Sequence, residues 1–182
     1  MIIKKLITIV DMQNDFVQPN GKLPVTGAAS LIEPFNKFIR RASFDAAVAT
    51  FDTHNKHEYK KSEEAKLFPI HCVKGTPGWE LAVNMPYMYR SLEKSIFDMW
   101  PENPELPTFA PQKYEVFVVG VAADYCVKYA VQGFLDRGYQ TTVFTDLTRG
   151  IQREFDQVAN EDFAKYLASG QLRLMNSAKF QR

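Results

Sequence analysis

The sequence predicts a doubly wound, mostly parallel α/β sheet flanked by helices on both faces. Two observations carry that prediction. Short apolar runs of strand length recur without the polar alternation of a half-exposed strand, as expected of strands buried on both faces. Between them lie segments whose apolar residues repeat at helical spacing, and strand, helix, strand alternation closes into a parallel sheet.

In chain order, Leu6–Val10 is the first buried run, and Leu31, Ile32, Phe35, Phe38 and Ile39 keep a helical period after it. Ala46–Thr50 is the second strand, and 87–92 is a further candidate. The stretch 101–112 carries prolines at 101, 104, 107 and 111, which forbid a continuous helix there. Glu115–Val119 and Thr141–Thr145 read as strands on either side of the helix marked by Val127, Ala130, Val131, Phe134 and Leu135. Phe155, Val158, Phe163 and Leu167 suggest a third helix, and Leu172–Met175 an edge strand. No repeat, low-complexity tract or composition shift marks a linker, so 1–182 reads as a single domain. A chain of that size buries roughly 70% of its unfolded surface in one core.

Composition excludes several classes. Lys and Arg number 22 against 21 Asp and Glu, a net charge of +1 that supplies no footprint for nucleic acid, and 13% aromatic content argues against disorder. Cys72 and Cys126 are too few for a disulfide framework and read as free thiols in a reducing compartment. Lys4 and Lys5 precede an apolar run that Asp11 ends, which fits neither a signal peptide nor a membrane span. The expectation is a soluble cytoplasmic protein with no nucleic-acid or membrane partner.

In a doubly wound sheet the ligand crevice lies at the carboxyl ends of the strands. Asp11 follows the first strand, Asp52 and His54 follow the second, and Cys126 follows the turn after Glu115–Val119. A thiol in the first turn of a helix meets unpaired N–H groups, which lower its pKa and suit a nucleophile; the alternative is a small side chain that only packs, the reading kept for Cys72. Asp11 could take the thiol proton, with the positive charge of Lys94 between them. All three histidines, at 54, 57 and 71, fall in one short window. Asp52 and His54 sit at i and i+2, on one face of an extended segment. With His71, and Glu64 or His57, they form a carboxylate and imidazole set suited to Zn²⁺, Fe²⁺ or Mn²⁺.

Between Ile7 and Gly150 several ordered motifs resemble the nicotinamidase/pyrazinamidase group of the isochorismatase-like cysteine hydrolases: Val10-Asp-Met-Gln-Asn-Asp-Phe16, Ala49-Thr-Phe-Asp-Thr-His54, Phe68-Pro-Ile-His-Cys-Val-Lys-Gly-Thr-Pro-Gly78, Lys94, Val119-Gly-Val-Ala-Ala-Asp-Tyr-Cys-Val127 and Arg149-Gly150. The resemblance implies a triad of Asp11, Lys94 and Cys126, a cis Val121–Ala122 peptide, and an oxyanion hole from the backbone N–H groups of Ala122 and Cys126. It implies one divalent transition metal ion, zinc ahead of iron or manganese, on Asp52, His54 and His71. Glu64 ranks ahead of His57 as fourth ligand. It places Phe16, Phe68, Val121 and Ala122 around the substrate, with Trp100 or Phe97 standing in for a tyrosine.

The activity so implied is hydrolysis of nicotinamide to nicotinate and ammonia through a thioester, a step of NAD salvage. Homo-oligomer formation stays open. Two departures stand out: the family's Tyr-Ser-Ala/Gly-Phe-like stretch after Lys94 is here Ser95-Ile-Phe-Asp-Met-Trp100, and Ala123 stands where threonine is common. Other readings at this stage are a metal-independent relative acting on another amide or a carbamoyl group, and a non-catalytic flavodoxin-like domain.

Overall fold

The computed structural model describes residues 2–86, 88–104, 106 and 109–180. The elements run β1 (Lys4–Val10), α1 (Asn14–Val17), α2 (Ile32–Arg41), β2 (Ala46–Asp52), α3 (Lys56–Tyr59), β3 (Arg90–Lys94), β4 (Tyr114–Val121), α4 (Cys126–Asp136), β5 (Gln140–Arg149), α5 (Phe155–Asp162), α6 (Ala164–Ser169) and β6 (Leu172–Met175). The strands form one sheet in the order β3-β2-β1-β4-β5-β6, and every adjacent pair is parallel. The order reverses between β1 and β4, and the crevice of such a sheet opens where it does.

The continuous apolar runs are explained by burial on both faces. Leu6 and Val10 of β1 and Val116 and Val118 of β4 enter the core shared with Val127, Phe134 and Phe155. Ile7, Ile9, Phe117 and Val119, one residue out of phase, enter the second core with Phe35 and Phe38. Each such side chain gains roughly 1.5–3 kcal/mol from leaving water, so neither face tolerates polar alternation.

Several boundaries differ from expectation. The strand expected over 87–92 is Arg90–Lys94, and residue 87 lies outside the described residues. β5 runs on to Arg149 because, after a register shift, Thr148 and Arg149 pair with Gly120 and Val121. The expected third helix is two, since Phe163 leaves the helical region at φ −124°, ψ 19° with its ring fully buried. α1 and α3 span four residues each, too few for a readable period. Among the described residues no helix is long and apolar enough to cross a membrane.

Candidate active site

The strand ends converge on one buried ammonium. Lys94 closes β3 directly beside Asp52, the last residue of β2, and it is 2% exposed. Its Nζ lies 2.8 Å from Oδ2 of Asp11, 3.1 Å from Oδ1 of Asp52 and 3.5 Å from Sγ of Cys126. Burial opposes the charge on Lys94, but Asp11 and Asp52 outweigh it and hold its pKa well above the usual lysine value. Asp11 takes a left-handed φ of 47°. Its N–H donates to Oγ1 of Thr50, and the same hydroxyl donates back to its carboxylate.

Beside Asp11, β4 ends on a cis Val121–Ala122 peptide, as the resemblance implies. Gly120 precedes it at φ 122°, where a Cβ would stand 2.0 Å from the carbonyl oxygen of Val10. Only glycine lets β4 pass that close to the strand carrying Asp11. Cys126 then opens α4, so its N–H is among the first-turn donors that no helical carbonyl accepts. The carbonyl of Ala122 accepts the N–H groups of Tyr125 and Val127. The Asp124 carboxylate accepts those of Ile151, Gln152 and Arg153, tying the loop after β5 to this turn.

The expectation of a lowered thiol pKa is corrected. Burial pushes the Cys126 thiol well up; Lys94 pulls it down, and Asp11 and Asp52 push it further up. First-turn amides do not offset a site that is 8% exposed and flanked by two carboxylates.

A second cluster shares Asp52. The segment after His71 pairs with His54: the N–H of His54 donates to the carbonyl of Cys72 and that of Lys74 to the carbonyl of His54. This brings both imidazoles to Oδ2 of Asp52, at 2.7 Å for Nε2 of His54 and 3.0 Å for Nε2 of His71. Glu64, on a 3-10 turn, closes the set at 3.7 and 3.5 Å from the same two nitrogens. The hydroxyl of Tyr59 donates to the carbonyls of Phe68 and Pro69 and so steadies the segment leading into His71. Nδ1 of His71 lies 2.7 Å from the carbonyl of Pro69, which can only accept, so Nε2 is the nitrogen left for a ligand.

Asp52 Oδ2, His54 Nε2, Glu64 Oε2 and His71 Nε2 are all buried, with no hydrogen-bond partner among the described residues. Short separations without hydrogen-bond alignment mean that the four atoms face a common point. They lie within 4.8 Å of one another, and two imidazoles with two carboxylates make a donor set that fits a divalent transition metal. Burial opposes protonation of His71, yet Asp52 and Glu64 raise its pKa to about 10. Burial also raises Asp52, but Lys94 and the two histidines win and leave it below the usual carboxylate range. His57, the competing fourth ligand, is exposed on α3 outside this cluster.

Of the aromatic residues singled out in the sequence, the Phe16 ring centroid lies 5.1 Å from that of His71. Phe68 packs edge-on to Tyr125 at 5.6 Å and to Phe97 at 6.2 Å. Trp100 is placed differently from expectation. Its indole packs on the far turns of α4, with Nε1 donating to the carbonyl of Ala130, the Phe134 ring 4.9 Å away and the Arg137 guanidinium over its face. Phe97 is thus the ring of that segment that joins Phe68 and Tyr125, because Trp100 is spent filling the space above Gly133.

Residues 5–170 match the isochorismatase domain family. The chain belongs to the isochorismatase family. Among its members, a nicotinamidase/pyrazinamidase of Mycobacterium tuberculosis is 30% identical, covering 87% of this chain and 93% of that protein. The solved pyrazinamidase of Pyrococcus horikoshii in complex with zinc is similar at a TM-score of 0.78 and 26% identity, covering 95% of this chain and 99% of that one. PnC1 from L. infantum, solved in complex with nicotinate, is similar at a TM-score of 0.77 and 25% identity, covering 96% and 93%. The family resemblance read from the motifs is borne out, as is the α/β architecture.

Sequence reasoning missed two residues that brace this family site. Gln13 holds the backbone of Asp52, and Asp124 holds the loop 151–153. A polar side chain inside a strand-end motif was the one available signal for each.

Proposed function

We propose that this protein hydrolyses nicotinamide to nicotinate and ammonia, a cytoplasmic step of NAD salvage, with Cys126 as nucleophile. The observation that carries the reading is the meeting of Cys126 Sγ, Lys94 Nζ and the Asp11 carboxylate beside four converging donor atoms. Two of the relatives above are by name a nicotinamidase/pyrazinamidase and a pyrazinamidase, the latter solved with zinc, and PnC1 was solved with nicotinate.

In this mechanism Asp11 takes the proton of the Cys126 thiol as sulfur bonds to the carboxamide carbon, and the C=O pair moves onto oxygen. Backbone N–H groups of Ala122 and Cys126 stabilise that oxyanion. Asp11 returns the proton to nitrogen, the C–N bond breaks and ammonia leaves a thioester. Asp11 next takes a proton from water, whose oxygen adds to the thioester carbon, and the C–S bond breaks with return of the proton to sulfur. Lys94, within reach of both the Asp11 carboxylate and the sulfur, counters negative charge on each. A divalent transition metal on Asp52, His54, Glu64 and His71, zinc ahead of iron and manganese, would supply a Lewis-acid anchor for the ring nitrogen. Phe16 and Phe68, with Val121 and Ala122, would bound the ring.

The test is ammonia release from a panel of amides, with and without chelator. Nicotinamide is expected to be the preferred substrate, chelation to abolish turnover, and Cys126→Ala to lower it by roughly 10⁴-fold or more while metal content is unchanged. Chelator-insensitive release from another amide or a carbamoyl compound, with nicotinamide untouched, would overturn the reading.

A further inference from the structure

The side chain of Gln13 is fully buried and hydrogen-bonds to none of the four donor atoms or the thiol, yet two of its three hydrogen bonds hold the backbone of Asp52. Its Oε1 accepts the N–H of Asp52 at 2.8 Å, and its Nε2 donates to the carbonyl of Asp52 at 2.9 Å. The same Nε2 donates to the carbonyl of Trp79 at 2.9 Å. β1 pairs with β2 only as far as Ile9 with Ala49, because the chain turns away through the left-handed Asp11. Asp52 therefore lies beyond the reach of its neighbouring strand on that side, while on the other the N–H of Thr53 still donates to Lys94.

A carboxamide is a peptide group on a stalk: it can accept from an N–H and donate to a C=O of the same residue, as a paired strand would. We infer that Gln13 is a positioning residue that replaces the missing strand at Asp52, fixing the Asp52 backbone so that its carboxylate serves Lys94 through one oxygen and the metal cluster through the other.

Two residues further along, in the first turn of α1, a second grip has the same sense. Oδ2 of Asp15 accepts the N–H of Cys72 at 2.8 Å, beside His71, and the carboxylate lies so close over Gly78 that a Cβ there would be 2.3 Å from Oδ2. Asp11, Gln13 and Asp15, alternate residues of the stretch from β1 into α1, thus hold Lys94, the Asp52 backbone and the His71 segment in turn. Glutamate at 13 keeps the shape of the side chain but has no N–H for the carbonyls of Asp52 and Trp79. Methionine keeps the volume and satisfies neither end.

The inference rests on the metal reading of the cluster, and the experiment separates the two. The full chain, stripped with chelator, is titrated with Co²⁺ alone and followed by its d–d absorption. Circular dichroism confirms that each variant is folded. The parent is expected to bind one equivalent, and Gln13→Met and Gln13→Glu to bind ~10- to 100-fold more weakly with a changed band shape. Gln13→Glu, the closest in shape, carries the test where Gln13→Met does not yield folded protein. Affinity within threefold of the parent and an unchanged spectrum would overturn the inference and leave Gln13 a packing residue. A parent that binds no Co²⁺ would overturn the metal reading itself.

Discussion

The ammonium of Lys94 lies 3.1 Å from Oδ1 of Asp52, whose other oxygen faces the imidazoles of His54 and His71. One carboxylate therefore joins the thiol site to the four-donor cluster, and the two share a charge balance. Lys94 stands between two buried carboxylates, and each depends on it for a counter-charge.

Lys94→Met keeps the length of the side chain and removes that charge, leaving Asp11 and Asp52 buried and facing each other. The variant is expected to lose about 3–5 kcal/mol of stability, read by urea unfolding of chelated protein, and to lose turnover. A loss below about 1 kcal/mol would mean that the carboxylates are not relying on Lys94.

His71 gives the metal-free protein a pH dependence with a defined sign. Its folded pKa, about 10, is raised above the ordinary histidine value of 6.5 by Asp52 and Glu64 against the opposing effect of burial. The stability it contributes is full below pH 6.5 and is lost as pH rises through about 10. Calorimetry of chelated protein should therefore show Tm falling between pH 7 and pH 10. Metal must displace that proton, so affinity should rise over the same range by up to about tenfold per pH unit. A Tm that climbs with pH there would contradict the protonated form.

The fourth donor is tested by a pair of variants. Glu64 is buried with an oxygen 3.5 Å from the His71 nitrogen, whereas His57 is exposed on α3. Glu64→Ala is expected to lower metal content measured by elemental analysis after dialysis, and His57→Ala to leave it at the parent level. The reverse pattern would restore His57 as ligand.

The two thiols should differ in reactivity. Cys72 is fully buried, and burial pushes its pKa well up, with Asp52 and Asp11 adding to the effect. Cys126 retains 8% exposure and has Lys94 at 3.5 Å to stabilise a thiolate. Iodoacetamide followed by peptide mapping is expected to modify Cys126 and spare Cys72, at a rate that increases with pH. Equal labelling would show that the core around Cys72 opens.

Much of this site is legible in the sequence. β1, β2 and β4 announced themselves as unbroken apolar runs because both their faces are buried, and the polar residues at their ends then fell on one edge of the sheet. The motifs around Asp11, Asp52, His71 and Cys126 were local and dense enough to point to a family. Glu64 ranks ahead of His57 only through the family resemblance, because a 3-10 turn of three residues has no readable period and the ligand direction depends on how that turn packs. Trp100 was misplaced for a related reason: its proximity to Lys94 in sequence says nothing of the turn that sends its ring to Gly133.

What the sequence by itself determined is therefore the layered α/β class, the residue types gathered at the strand ends and the family they resemble. All of these follow from periodicity and short-range order, which are properties of neighbouring residues. Only the tertiary structure decided the strand order that sets β3 beyond β2 and carries Lys94 to both Asp11 and Cys126. It also sets Glu64, and not His57, beside the two imidazoles, raises the Cys126 pKa and gives Gln13 its grip on Asp52. These depend on distances of about 3 Å between residues tens of positions apart, where burial and charge act through space rather than along the chain.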